Sequence, residues 1–288
     1  MTPSEVAHHC GVPLKRLIRL AEAGPEAYKP TWNQGTEAKP RWIREPHDEL
    51  KRVQRRLLRS IFVDVPPHPA AFAAAGRGGT VAAAESHVSQ DYLLHLDLSS
   101  FFPSVSPRRV FERLIKVGFQ EGVASLVTGL TTVADQLPQG APSSPAIADL
   151  VLFPMDARIH GLCELEGWTY TRYVDDIAVS GSSRVVSYGR RILTRIIEDE
   201  GWALNEKGGP AGPDRRKEML GLTVGSRVSV PREVRSSIRS LLRLAEAGRV
   251  ELSAGELNRV RGRLAWIFAV NPRQGRKLRL LLERIEGT

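Results

Sequence analysis

Apolar residues recur along this chain at two intervals, three-to-four residues and two residues, and each change of interval marks an element. Val6 and Cys10, then Leu14, Leu17, Ile18 and Ala21, lie at helical spacing on either side of Gly11 and Pro13, which predicts two short helices. Thr2 and Glu5 stand in a capping-box pattern, with Pro3 at the first helical position. A helix-turn-helix arrangement is one reading of the pair, but the connection is short and few polar side chains are set out for base contacts. Residues 1–27 are therefore expected to be a helical prefix. Pro30, Asn33-Gln34-Gly35 and Pro40 predict extended segments around a turn. After Pro46, residues Leu50, Val53, Leu57, Leu58 and Ile61 return to helical spacing.

Gly76-Arg77-Gly78-Gly79 predicts a loop or tight turn. Tyr92-Leu93-Leu94-His95-Leu96 then reads as a buried strand that delivers Asp97 at its end. Ser106-Pro107 opens a helix with Val110, Leu114 and Val117 on one face and Gly118 as its stop. Residues 142–162 read as helical after a proline-rich turn. Residues 169–173 and 177–180 alternate on either side of Asp175-Asp176, as the two strands of a hairpin do. Residues 185–200 are helical in pattern, and 219–224 with 227–230 read as a second hairpin. From Pro231 the pattern is helical throughout, with Ser253 and Glu256 as a capping box before Leu257, Val260, Leu264 and Ile267. The composition shifts at Pro231, the expected domain boundary.

The 288 residues allow one large domain or two modest ones, and 42% hydrophobic with 25% charged residues excludes global disorder. Forty-one Lys and Arg against 32 Asp and Glu leave a net charge of +9, which suits a polyanionic partner. The excess is localised. Lys51, Arg52, Arg55, Arg56 and Arg59 cover one helix with no acidic residue among them, as either a solvated face or a nucleic-acid-facing one. Arginine is again frequent beyond Pro231, Arg261 and Arg263 among them. Cys10 and Cys163 are the only cysteines, so a cysteine zinc site is excluded and a disulfide framework is not expected. The N-terminus has no basic region leading into an apolar core, and no apolar run reaches the ~18 residues of a membrane span. A soluble, cytoplasmic chain is expected.

An adjacent aspartate pair in a turn is by default a surface turn. Asp97 at the end of an apolar strand changes the reading, because three carboxylates at neighbouring strand tips repel unless a cation neutralises them. Hard oxygen ligands suit Mg²⁺. Two such ions about 3.5–4 Å apart serve phosphoryl transfer, so nucleotidyl transfer is the reaction class these residues suggest.

Tyr173-Val174-Asp175-Asp176 resembles the YxDD box of reverse transcriptases. His95-Leu96-Asp97-Leu98-Ser99-Ser100-Phe101-Phe102 resembles the family's first palm motif, and Leu137-Pro138-Gln139-Gly140-Ala141-Pro142-Ser143-Ser144-Pro145 its second, in family order. Trp202-Ala203-Leu204-Asn205-Glu206-Lys207 and Met219-Leu220-Gly221-Leu222 resemble the later palm motifs. The resemblance covers most of the chain. It implies an α+β right-hand polymerase fold: fingers over 28–91 and again near 106–140, a palm with an antiparallel sheet over 92–230, and a helical thumb over 231–288. It further implies that Asp97, Asp175 and Asp176, with the Leu98 carbonyl, hold two Mg²⁺ ions, for which Mn²⁺ can substitute. Phe102 falls at the steric-gate position that favours deoxynucleotides. Lys39, Arg41, Gln139, Gly140 and Lys207 match positions at the nucleotide, and Arg172 either contacts nucleic acid or braces the hairpin.

Among reverse transcriptases the motifs resemble bacterial retron-type enzymes best. Their Asn-Ala-x-x-His element stands here as Ala83-Ala84-Glu85-Ser86-His87, and their valine-threonine-glycine element as the degenerate 219–224 stretch. The resemblance implies an RNA-directed DNA polymerase acting on dNTPs, an RNA template and a DNA or RNA primer. A dedicated non-coding RNA and a defence effector protein are the partners it suggests. Template-independent or protein-primed synthesis on the same palm, and an RNA-binding scaffold without turnover, are the alternatives.

Overall fold

The computed structural model describes residues 1–37, 40–73, 78–205 and 209–286. Helices α1 (Pro3–Cys10) and α2 (Leu14–Glu22) part at Gly11, whose φ of 58° is left-handed and suits glycine. The Thr2–Glu5 capping box forms as expected, each side chain accepting the other's backbone N–H. Strands β1 (Trp32–Asn33) and β2 (Trp42–Ile43) form a short antiparallel pair, followed by α3 (Asp48–Ser60) and α4 (Gly79–Glu85). Strand β3 (Tyr92–Asp97) leads through the single turn α5 (Phe101–Ser104) to α6 (Pro107–Lys116), α7 (Glu121–Thr131) and the long α8 (Ser144–Glu166). Then come β4 (Thr169–Tyr173), β5 (Asp176–Gly181) and α9 (Arg190–Asp199), with a turn of π-helix before α9. Short strands β6 (Pro210–Ala211), β7 (Lys217–Met219), β8 (Leu222–Val224) and β9 (Val228–Ser229) precede α10 (Arg232–Glu246), α11 (Ala254–Val270) and α12 (Pro272–Glu286).

The central sheet is antiparallel in the order β4-β5-β3-β6. Strand parity divides its two faces. Leu94, Leu96, Tyr170, Ile177 and Val179 pack with α8, α9 and the other helices of the main core, each such aliphatic side chain contributing roughly 1.5–3 kcal/mol by burial. Leu93 and Ala178 face a second buried cluster with α4, β7–β9 and α10–α12. On that second face β3 also presents His95 and Asp97, beyond the part the cluster covers.

Several expectations are refined. The prefix is no appendage, since Val6, Cys10 and Leu17 are buried in the main core. Val117 and Ile18 lie on solvent sides of their helices. The stretch 219–224 is two strands, because Leu220 and Gly221 both take positive φ, the pattern of a tight hairpin turn. The second cluster runs across Pro231, so the composition shift there does not divide the core. The Gly76–Gly79 turn lies partly outside the described residues.

Candidate active site

Register brings the aspartates together. In the β3–β5 pairing Asp97 stands directly opposite Asp176, and Asp175 precedes it in the two-residue turn from β4. The Leu98 N–H donates to the Asp175 carbonyl at 3.1 Å, tying the end of β3 to that turn. Asn205 holds Asp97 twice: its N–H donates to the Asp97 carbonyl and its Nδ2 to Asp97 Oδ2, both at 2.8 Å. One Asp97 carboxylate oxygen is thus oriented from the protein side. His95 Nδ1 lies 3.8 Å from Asp176 Oδ1 on the same sheet face.

Electrostatically the site calls for a cation. Burial pushes the Asp175 carboxyl above the usual carboxylate range, and the charges of Asp97 and Asp176 push it further. A hydrogen bond from its own backbone and the charge of Arg41 work against this. The donor set of carboxylates is all hard oxygen. Among the described residues no three His, Cys, Asp or Glu side chains close into a cage. An ion here would rest on few protein oxygens and keep water or phosphate in its other positions, which is how Mg²⁺ is commonly held.

The β1–β2 hairpin docks beside this site. The Arg44 N–H donates to the Gln139 carbonyl at 2.8 Å. At Gly140, with φ 113°, a Cβ would fall 2.8 Å from Ile43 Cγ2, so the approach requires glycine. Arg41 is exposed on this hairpin. The two phenylalanines separate: Phe101 is buried against Trp202, whereas Phe102 is half-buried and meets Phe101 edge-on. Lys39 and Lys207 lie outside the described residues.

Of the arginines expected at nucleic acid, Arg52, Arg55 and Arg263 are exposed. Arg261 is exposed but paired with Glu286 at 2.9 Å. Arg56 donates to the Cys10 carbonyl and so braces the end of α1. For Arg172 the structure overturns the nucleic-acid contact alone. The side chain is 0% exposed, beneath the sheet among Asp149, Asp156 and Tyr170 of the main-core side. Parity explains this: Tyr173 shares the aspartate face, so Arg172 must take the other. No nucleic acid reaches it there.

Sequence reading assigned no role to Asn205, or to Asp149 and Asp156, although their seven-residue spacing puts both on one stripe of a helix. The two buried aspartates in an apolar helix were the available signal. Among the described residues no helix is long and apolar enough to cross a membrane.

Residues 37–207 match the family model described as Reverse transcriptase (RNA-dependent DNA polymerase). The telomerase of Candida albicans, solved with a TWJ fragment of telomeric RNA, superposes with a TM-score of 0.52 over 96% of this chain and 60% of that chain. At 12% identity that likeness speaks for the fold. Family match and fold together define a right-hand polymerase. The Retron Ec86 reverse transcriptase of Escherichia coli is 31% identical over 276 residues, 95% of this chain and 85% of the relative. The Retron Mx65 reverse transcriptase of Myxococcus xanthus is 32% identical over 259 residues, 83% of this chain and 60% of the relative. The chain belongs to the reverse transcriptase family, in its bacterial retron type. Its activity is RNA-directed DNA polymerisation, which uses an RNA template and, in this family, a divalent cation.

Proposed function

We propose that the chain extends a primer 3′-hydroxyl with dNTPs on a dedicated structured RNA, using Asp97, Asp175 and Asp176 to hold two Mg²⁺ ions, with the Leu98 carbonyl as a further ligand. The observation that carries this is the direct cross-strand pairing of Asp97 with Asp176 beside the Asp175 turn. When bound, the ions activate the attacking hydroxyl and stabilise the leaving pyrophosphate; Mn²⁺ serves in their place. Asn205 keeps the Asp97 carboxylate in one orientation. Arg41, with Lys39, supplies positive charge toward the triphosphate, and Lys207 serves the leaving pyrophosphate as a proton donor. Gln139 and Gly140 form the floor on which the β1–β2 hairpin and the incoming nucleotide meet. The Phe102 ring meets C2′ of the sugar and excludes a ribose hydroxyl.

We assign fingers to residues 28–91 and 106–140, palm to 92–230 and thumb to 231–288, the thumb's core reaching back to β7–β9. Arg52, Arg55, Arg261 and Arg263 neutralise phosphates of the template–primer. On the retron likeness we further read a cognate non-coding RNA and an effector protein as partners, and a role in antiviral defence in the cytoplasm. The test is extension of a primed RNA template with Mg²⁺ and dNTPs. Wild type extends the primer; Asp97→Asn and Asp175→Asn do not, and undiminished extension by either variant removes the assignment.

A further inference from the structure

The turn that carries the aspartates is held from inside the protein. Val174 and Asp175 join β4 to β5, and Val174 has φ 57°. A β-branched residue avoids that left-handed region, and a two-residue hairpin turn usually gives such a position to glycine. Something must hold Val174 there. Its carbonyl accepts a hydrogen bond of 2.8 Å from Arg172 Nη1.

The other nitrogens of Arg172 are anchored. Nε donates to Asp156 Oδ1 at 2.8 Å, and Nη2 donates to Asp156 Oδ2 at 2.7 Å and to Asp149 Oδ1 at 3.0 Å. The Tyr170 hydroxyl donates to Asp156 Oδ1 at 2.5 Å. Arg172 and Asp156 are 0% exposed and Asp149 2%. Burial opposes the guanidinium charge, but Asp156 and then Asp149 outweigh it and hold the group protonated. Only the planar, multi-donor arginine reaches four acceptor oxygens on three residues; a lysine has one nitrogen. Both aspartates belong to α8, whose first turn follows Gln139 and Gly140, where the β1–β2 hairpin docks. One helix thus bears on both the nucleotide side and the catalytic turn.

The geometry points to Arg172 as the positioning residue of the catalytic hairpin. Anchored to α8 through Asp156 and Asp149, it holds the Val174 carbonyl, keeps Val174 left-handed and aims Asp175 and Asp176 at the reacting phosphate. This rests on the polymerase reading of the aspartates.

The test uses the full chain on a primed RNA template. In Arg172→Lys, kcat falls about 10- to 100-fold, as a small misplacement of reacting groups produces. The KM for dNTP stays within about twofold, since ground-state binding is untouched. Adding Val174→Gly restores most of the lost rate, because glycine enters the left-handed region unaided. An arginine needed only for folding would show no such rescue. Val174→Pro, with φ fixed near −65°, cannot hold the left-handed turn or keep its carbonyl on Arg172 Nη1, so it lowers the melting temperature and abolishes incorporation in the folded protein while RNA affinity persists. Wild-type turnover in Arg172→Lys or Val174→Pro, or failure of the glycine rescue, overturns the proposal; if Arg172→Lys does not fold, Val174→Pro decides. A wild-type protein that extends no primer would instead refute the polymerase reading.

Discussion

Lowering the pH should loosen the hairpin that carries the catalytic turn, through one buried imidazole. His87, just beyond α4, is 1% exposed. Its Nδ1 lies 2.6 Å from the Ser180 hydroxyl and its Nε2 2.7 Å from the Thr171 hydroxyl, so it joins β4 and β5 on the face opposite Arg172. Burial first, and the neighbouring His95 second, lower its pKa from 6.5 to about 4. The unfolded chain therefore takes up this proton before the folded one does. His87 stability is complete above pH 6.5 and is lost as pH falls toward 4. The whole interval corresponds to about 3 kcal/mol, of which about 2 kcal/mol disappears between pH 7 and pH 5. Urea unfolding at those two pH values, on wild type and on His87→Gln, isolates the effect, because every other titrating group is common to both. Wild type should lose about 2 kcal/mol more than the variant, a large share of an ordinary domain's stability. Equal losses in the two proteins would show that His87 is not held neutral by the fold.

Two further outcomes follow from the nucleotide side. Gly140→Ala places a Cβ 2.8 Å from Ile43 Cγ2 at a φ of 113°; it should cost about 1–3 kcal/mol in melting measurements and raise the KM for dNTP. Unchanged stability and KM would mean that the hairpin does not dock there in solution. Phe102→Val should raise ribonucleotide incorporation relative to deoxynucleotide by about 10- to 200-fold in single-nucleotide extension, and an unchanged ratio would move the gate to another residue.

The chemistry of this protein was legible because it is written in short local runs. The pattern put Asp97 at the end of an apolar strand and Asp175-Asp176 in the turn of an alternating hairpin, and the resemblance to the reverse transcriptase motifs, each a short run, gave those carboxylates their role. The helical faces of α3, α6 and α11 and both capping boxes were readable for the same reason: their partners lie within a few residues. Leu220-Gly221 was read through as one strand, since the tight turn there depends on two positive φ angles that a leucine does not advertise.

Arg172 shows the limit more sharply. As a letter it is a basic residue beside a polymerase box, in a chain of net charge +9. Its function depends on which face of β4 packs against α8, and on two aspartates 16 and 23 residues away in sequence. By itself the sequence determined which carboxylates exist, the strand ends that present them and the kind of reaction they suit. Only the tertiary structure decided that Asp97 stands opposite Asp176, that Asn205 orients it, and that Arg172 turns inward. Strand parity is local, but the choice of which face meets the core belongs to the whole packing, because burial against remote helices outweighs what a single residue prefers.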